Sequence, residues 1–230
     1  MPTAAIIPAA GIGVRFGEEK QFKLLGNEPL LIHTLTPFLQ SKEINEIIIV
    51  VSREKLSKTE KTISSLDNKS DIKLVTGGLH RQDSVYKGLK AVSDFCNLVC
   101  IHDGARPFVS IELIESTIKA CEKFDGAVAA VKSTDTVKLV KGNAVQKTVN
   151  RDQIWFAQTP QTFNKQKLEK AFLSARKNNF FGTDESMLME KMGYSIATVN
   201  GNNQNIKITT PEDWIHATSI LNTKISSEKP

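Results

Sequence analysis

The residues of this chain best suited to chemistry are glycines and cations gathered near its start. Gly11, Gly13 and Gly17 follow an apolar run ending in Ile6-Ile7-Pro8, with Arg15 and Lys20 set among and just behind them. Glycine tolerates positive φ and lets backbone N–H groups approach phosphate oxygens, and the two cations bring charge to the same loop, so the segment suits a polyphosphate. Two commoner glycine loops do not fit. A dinucleotide fingerprint places G-x-G-x-x-G at the mouth of a helix, and here the third glycine comes one residue late. A P-loop requires G-x-x-x-x-G-K-[ST], whereas Gly17 is followed by Glu18 and Glu19. Taken alone, the loop is equally compatible with an ordinary strand-to-loop turn.

Further along, Thr76-Gly77-Gly78-Leu79-His80-Arg81-Gln82-Asp83-Ser84 joins a strand candidate to a helix candidate. Such a helix start can hold an anion or a base edge, or Asp83 and Ser84 can simply cap it. In Ile101-His102-Asp103-Gly104-Ala105-Arg106-Pro107, Asp103 offers hard oxygens to Mg²⁺ or to its waters, and Arg106 a fork of donors to a phosphate. An Asp–Arg ion pair fixing the loop is the alternative. Lys207 lies in 205–210, read as a short alternating strand feeding the last helix, where a solvated lysine is the plainer reading. Arg151, Thr136, the stretch Gln158-Thr159-Pro160-Gln161 and the stretch Thr183-Asp184-Glu185-Ser186 read individually as turns, caps and hairpin ends.

The elements that must position these groups follow from periodicity. Apolar runs at 4–7, 46–51, 72–75, 98–101, 126–131 and 195–199 alternate with amphipathic stretches at 30–39, 54–66, 82–92, 111–124, 165–177, 184–192 and 211–221. This is the rhythm of an α/β protein with a doubly wound, mostly parallel sheet covered on both faces. One stretch departs from it: 136–140, a Lys141-Gly142-Asn143 turn and 145–149 read as a β-hairpin arm, which should dock on its own domain or, preferably, on a partner subunit. Residues 1–222 are expected to form a single domain that includes this arm (133–153), followed by a frayed polar tail at 223–230. The chain has 230 residues, 40% hydrophobic and 24% charged, and contains no apolar run long enough to span a membrane. It starts on a strand candidate without a basic or apolar leader, so the cytoplasm is the expected location. The net charge of +5 is dispersed rather than clustered, which favours a small anionic substrate over nucleic acid. Cys96, Cys100 and Cys121 lack C-x-x-C spacing and the four histidines are scattered, so neither a disulfide framework nor a transition-metal site is expected.

Taken in order, PAAGIGVRFG, GGLHRQDSVYKGL, HDGARPF, STDTVK, QTPQTF, GTDESMLMEKMG and NIKITTPED span nearly the whole chain. The sequence resembles the 2-C-methyl-D-erythritol 4-phosphate cytidylyltransferases of the non-mevalonate isoprenoid pathway. The resemblance implies a Rossmann-like nucleotidyltransferase fold, a homodimer made through the arm, and Mg²⁺-dependent transfer of CMP from CTP to 2-C-methyl-D-erythritol 4-phosphate. It further implies that Ala9, Ala10, Gly11, Gly13, Gly78 and Ser84 bind the nucleotide, and that Arg15, Lys20 and Lys207 surround the triphosphate as catalytic cations. Asp103 and Arg106 would lie beside the metal and the sugar phosphate, the metal being held mainly by phosphates, and Thr136 and Arg151 would grip the acceptor, in the partner's site if the arms exchange. Two departures stand out. The loop between Arg15 and Lys20 is shorter than is common in the family, and Leu79 stands where many members carry an acidic residue. The nearest alternative is the related ribitol-5-phosphate cytidylyltransferases, which lack the patterns present here at 135–138 and 183–185. A non-catalytic nucleotide sensor is a second alternative, disfavoured by cations at every phosphate position. Joining two polyanions needs charge and positioning more than a covalent nucleophile, in agreement with the absence of any nucleophile–base motif.

Overall fold

The computed structural model describes residues 1–11, 16–64, 66 and 72–227. In chain order the strands are β1 (Thr3–Pro8), β2 (Leu24–Leu25), β3 (Glu28–Pro29), β4 (Ile44–Val51), β5 (Ile72–Thr76), β6 (Leu98–Ile101), β7 (Gly126–Lys132), β8 (Val137–Lys141), β9 (Ala144–Val149), β10 (Trp155–Asn164) and β11 (Ile196–Asn200). The helices are α1 (Leu30–Gln40), α2 (Leu56–Ile63), α3 (Arg81–Lys90), α4 (Ile111–Ala120), α5 (Lys165–Lys177), α6 (Glu185–Lys191) and α7 (Pro211–Ser227).

The central sheet has seven strands in the order β11-β7-β10-β6-β1-β4-β5, parallel except for β10. Alternation along a strand sends successive side chains to opposite faces, and two cores result. Ala4 and Ile6 of β1 and Ile48 and Val50 of β4 join one cluster with α3 and α5 residues such as Leu89 and Phe172. Ala5, Ile7, Ile47 and Ile49 join the other, with Leu35 of α1 and Ile114 of α4. The doubly wound, mostly parallel architecture expected from the apolar runs is therefore present. The chain winds outward from β1 through β4 to β5, then returns to place β6 on the opposite side of β1. That reversal opens a crevice at the carboxyl ends of β1 and β6, where open sheets of this kind bind ligands.

Four expectations need correction. The stretch 158–161 is no turn: it lies inside β10, antiparallel between β6 and β7. Its register with β7 shifts between Ala157 and Gln161, an irregularity that accommodates Pro160, which lacks a ladder donor. Residues 205–210 form no strand; they run extended over the body, tied by Ile208 N donating to Ala105 O at 2.9 Å and by the fully buried Ile208 side chain. The stretch 54–66 divides into a 3-10 turn at Arg53–Lys55 and then α2. Finally, α7 runs to Ser227, past the expected end at residue 221. Ala217 and Ile220 pack it into a third cluster with Phe16, Leu25 and Phe108, and Lys224 lies over the Phe108 ring at 5.2 Å.

The hairpin arm forms with a two-residue loop, Gly142-Asn143, between paired Lys141 and Ala144, and Gly142 takes the positive φ of +59° such a loop demands. Among the described residues β8 and β9 pair only with each other, and Leu139, Val140 and Val145 are left exposed.

Candidate active site

Three segments meet at the crevice: residues 9–11 after β1, the loop between β5 and α3, and the loop after β6. Glycine makes their approach possible. A Cβ on Gly77 would stand 2.8 Å from both Ala10 Cβ and Ser84 Oγ, and one on Gly104 would stand 3.1 Å from Ala9 Cβ. The carbonyls of the first loop are pinned from behind. Gln21 Nε2 donates to Ala9 O and Gly11 O, both at 3.2 Å, and the buried Lys55 Nζ donates to Gly11 O at 3.2 Å. The resulting cleft, lined by Ala9, Ala10, Gly11, Gly78, Ser84 and neighbours, holds about 180 Å³. Leu79 stands 89% exposed at its lip. Some groups expected to face the nucleotide already have internal partners: Ala9 N donates to Val50 O at 2.7 Å, and Gly78 N donates to Ser84 Oγ at 3.1 Å. Ser84 Oγ in turn donates to His80 O. Ser84 thus braces the glycine turn from inside.

A second cleft of about 230 Å³ adjoins the first, walled by Arg106, Gln158, Thr159, Gln161, Thr183 and Asp184. Arg81, Asp103 and Lys207 line both clefts and form the partition between them. Lys207 Nζ sits 2.8 Å from Asp103 Oδ2, Arg81 Nε donates to Asp103 Oδ1 at 3.2 Å, and Arg106 Nε approaches Oδ2 at 3.6 Å. Burial alone would raise the Asp103 carboxyl; Arg81, then Lys207 and Arg106, outweigh it and hold the group well below the usual carboxylate range. Arg81 also takes both oxygens of Glu185 on Nη1, at 2.7 and 2.9 Å. Burial pushes the Glu185 carboxyl up, and the guanidinium opposes that rise.

The Asp103 loop is locked to β10 by a directed chain of hydrogen bonds. Burial pushes His102 down to about 4, so its ring is neutral at physiological pH. A neutral ring donates from one nitrogen only, and Nε2 lies 3.0 Å from the carbonyl of Arg106, which can only accept. Nδ1 must then accept from Thr159 Oγ at 3.0 Å, while Thr159 Oγ accepts from Asp103 N at 3.0 Å. Arg106 is fixed separately, donating from Nη1 to Asn205 O at 2.7 Å.

Of the residues expected at the site, Ala9, Ala10, Gly11, Gly78, Ser84, Asp103, Arg106 and Lys207 are gathered about these two clefts. Gly13 and Arg15 lie outside the described residues. Lys20 is placed differently: it is 9% exposed, donates to Ile208 O at 2.6 Å and lies 5.8 Å from the Phe16 ring centroid, bracing the segment that carries Lys207. Thr136 and Arg151 are exposed on the arm and its base, where Arg151 Nη1 donates to Thr134 O at 2.9 Å, and line neither cleft of this chain. Sequence reading missed Arg81, Glu185, Gln21, Lys55 and Thr159. Arg81 lies in GGLHRQDSVYKGL at a helix start and Glu185 in GTDESMLMEKMG after a cap, yet only the tertiary structure reveals their pairing. Among the described residues no group of three or more His, Cys, Asp or Glu could cage a metal, and both oxygens of Asp103 face cations. This donor set fits a divalent ion whose ligands come chiefly from phosphate and water oxygens.

A crevice at the switch point of a parallel sheet, glycine turns, and cations spanning two adjoining clefts are suited to a nucleotide and a second phosphate compound. A family model described as 2-C-methyl-D-erythritol 4-phosphate cytidylyltransferase matches residues 3–223. Relatives of that name are 41% identical in Clostridioides difficile (strain 630), over 95% of this chain and 93% of that protein, and 42% identical in Halalkalibacterium halodurans, over 96% and 97%. The crystal structure of the 4-diphosphocytidyl-2C-methyl-D-erythritol synthase from Anaerococcus prevotii DSM 20548 is similar with a TM-score of 0.88 at 36% identity, over 96% of both chains. The chain belongs to the 2-C-methyl-D-erythritol 4-phosphate cytidylyltransferase family.

Proposed function

We propose that this chain transfers CMP from CTP to 2-C-methyl-D-erythritol 4-phosphate, forming 4-diphosphocytidyl-2-C-methyl-D-erythritol and pyrophosphate in the non-mevalonate isoprenoid pathway. The supporting observation is Lys207 at the junction of the two clefts, one with glycine turns suited to a nucleotide and one with Arg106 suited to a sugar phosphate. An acceptor phosphate oxygen attacks the α-phosphorus of CTP, and the bond to the β-phosphate oxygen breaks as pyrophosphate leaves. Two polyanions meet in this step, so fixed positive charge at the junction lowers its barrier. Lys207 meets the developing charge, Arg106 orients the acceptor phosphate, and Asp103 keeps both cations in place. Arg15 and Lys20 are assigned to the triphosphate, Lys20 partly through its hold on Ile208. Asp103 would accept hydrogen bonds from the waters of a Mg²⁺ ion held mainly by phosphate oxygens, and that ion would add charge neutralisation.

The arm supports a homodimer. A lone hairpin is marginal in water, and Leu139, Val140 and Val145 present an uncovered apolar surface. Thr136 and Arg151, which line neither of this chain's own clefts, are assigned to the acceptor in the partner's site. No described helix is long and apolar enough to cross a membrane, and the proposed location is the cytoplasm. The family assignment does not favour ribitol 5-phosphate as acceptor. Pyrophosphate release with CTP and Mg²⁺ tests the reading: release with methylerythritol phosphate is expected, release only with ribitol phosphate would transfer the assignment, and release with neither would refute it.

A further inference from the structure

The row of charges dividing the two clefts begins with a residue that lines neither. Glu185, the first residue of α6, is 1% exposed and grips Arg81 Nη1 with both oxygens. Arg81, the first residue of α3, passes the contact to Asp103 through Nε, and Asp103 passes it to Lys207. The signs alternate along the row: carboxylate, guanidinium, carboxylate, ammonium. Neither helix needs the pair to begin. Asp184 Oδ1 accepts from Met187 N at 3.0 Å to cap α6, and Asp83 Oδ2 accepts from His80 N at 3.2 Å at the start of α3. A buried ion pair is also a weak means of stabilising a fold, since an apolar pair often serves as well. What the pair achieves is direction. With Nη1 held by Glu185, the Arg81 Nε is aimed at Asp103 Oδ1, leaving Oδ2 to Lys207. Freed from Glu185, a guanidinium lining a polyphosphate cleft would turn toward the phosphates, and Asp103 would lose the cation that fixes its plane.

We propose that Glu185 is a positioning residue for nucleotidyl transfer: by stretching Arg81 between two carboxylates it sets the orientation of Asp103 and the place of Lys207 at the junction. The inference rests on the cytidylyltransferase reading, and wild-type pyrophosphate release with CTP and methylerythritol phosphate is its control; without that release both fall together. In Glu185→Gln, which keeps shape but not charge, kcat is expected to fall about 10- to 100-fold while the KM for CTP changes less than about threefold, because misplacement acts on the transition state more than on binding. The double variant Glu185→Gln/Arg81→Gln should lose no more than Arg81→Gln alone, since the effect of Glu185 passes through Arg81. A folded Glu185→Gln enzyme with wild-type kcat, or additive losses in the double variant, would overturn the proposal. Should Glu185→Gln fail to fold, Arg81→Lys decides. It keeps the charge but not the fork that spans two carboxylates, so a loss of about tenfold or more in kcat at near-native melting temperature is expected. Near-wild-type kcat in that variant would be equally fatal.

Discussion

Removing the Lys207 ammonium should separate catalysis from stability more cleanly than any other change in the site. The side chain is 40% exposed, and its one described ion pair is with Asp103. Asp103 retains Arg81 and Arg106 as partners when Lys207 is gone. Partly exposed ion pairs contribute about 0.2–1 kcal/mol, so Lys207→Ala should cost at most about 1 kcal/mol of stability. In a chain of this size that amounts to a fall in melting temperature of about 2–4 °C. Catalysis should suffer far more. A preorganised group aimed at developing charge is worth about 3–4 kcal/mol, or about 10²–10³ in turnover. The assay pairs pyrophosphate release, with saturating CTP and methylerythritol phosphate in the presence of Mg²⁺, with a thermal melt of the same preparation. A kcat within about twofold of wild type would refute the catalytic role, and a melting temperature lowered by about ten degrees or more would make Lys207 a structural lysine.

Lys20→Ala should behave in the opposite way: its buried ammonium holds Ile208 O, so the unfolding midpoint in urea should fall along with turnover, and an unchanged midpoint would contradict the bracing role. Gly78→Ala would put a Cβ 2.3 Å from Asp83 Cβ, a clash costing about 1–3 kcal/mol, and the KM for CTP should rise about tenfold or more; tight CTP binding in this variant would mean that the glycine turn is not part of the nucleotide site. For His102, the folded ring titrates at about 4 against about 6.5 unfolded, so the unfolded chain binds the extra proton first as pH falls. Stability from this group is complete above about 6.5 and declines toward pH 4, by on the order of 3 kcal/mol; chemical denaturation across that window should show the decline, and a flat profile would mean the ring is not held neutral.

The parallel strands were legible because β1, β4, β6 and β7 are short apolar runs buried on both faces, a pattern that needs no tertiary information. β10 was not, because the residues it buries include Gln158, Thr159, Gln161 and Thr162, and its Pro160 argues against an interior strand unless the ladder is irregular there. The same limit governs the site. Asp103, Arg106 and Lys207 stood out by type and by their place in ordered motifs, whereas the pairing of Arg81 with Glu185 joins residues 104 apart in sequence. No local spacing encodes such a contact. Lys20 was recognised for its charge, but the direction of its side chain depends on where 206–208 crosses the body.

The polar stretch of β10 makes one wall of the second cleft out of the sheet itself. With the acceptor in this cleft, as proposed, Thr159 and Gln161 cannot be exchanged to admit a differently shaped polyol without also changing what the core must bury, because their polar atoms hold His102, Asp103 and Asp184 in place. The first cleft, by contrast, is bounded by loops whose lip includes the exposed Leu79. Changes of acceptor in this lineage should therefore demand compensating stabilisation elsewhere, while tuning at the nucleotide lip can drift at little cost to folding.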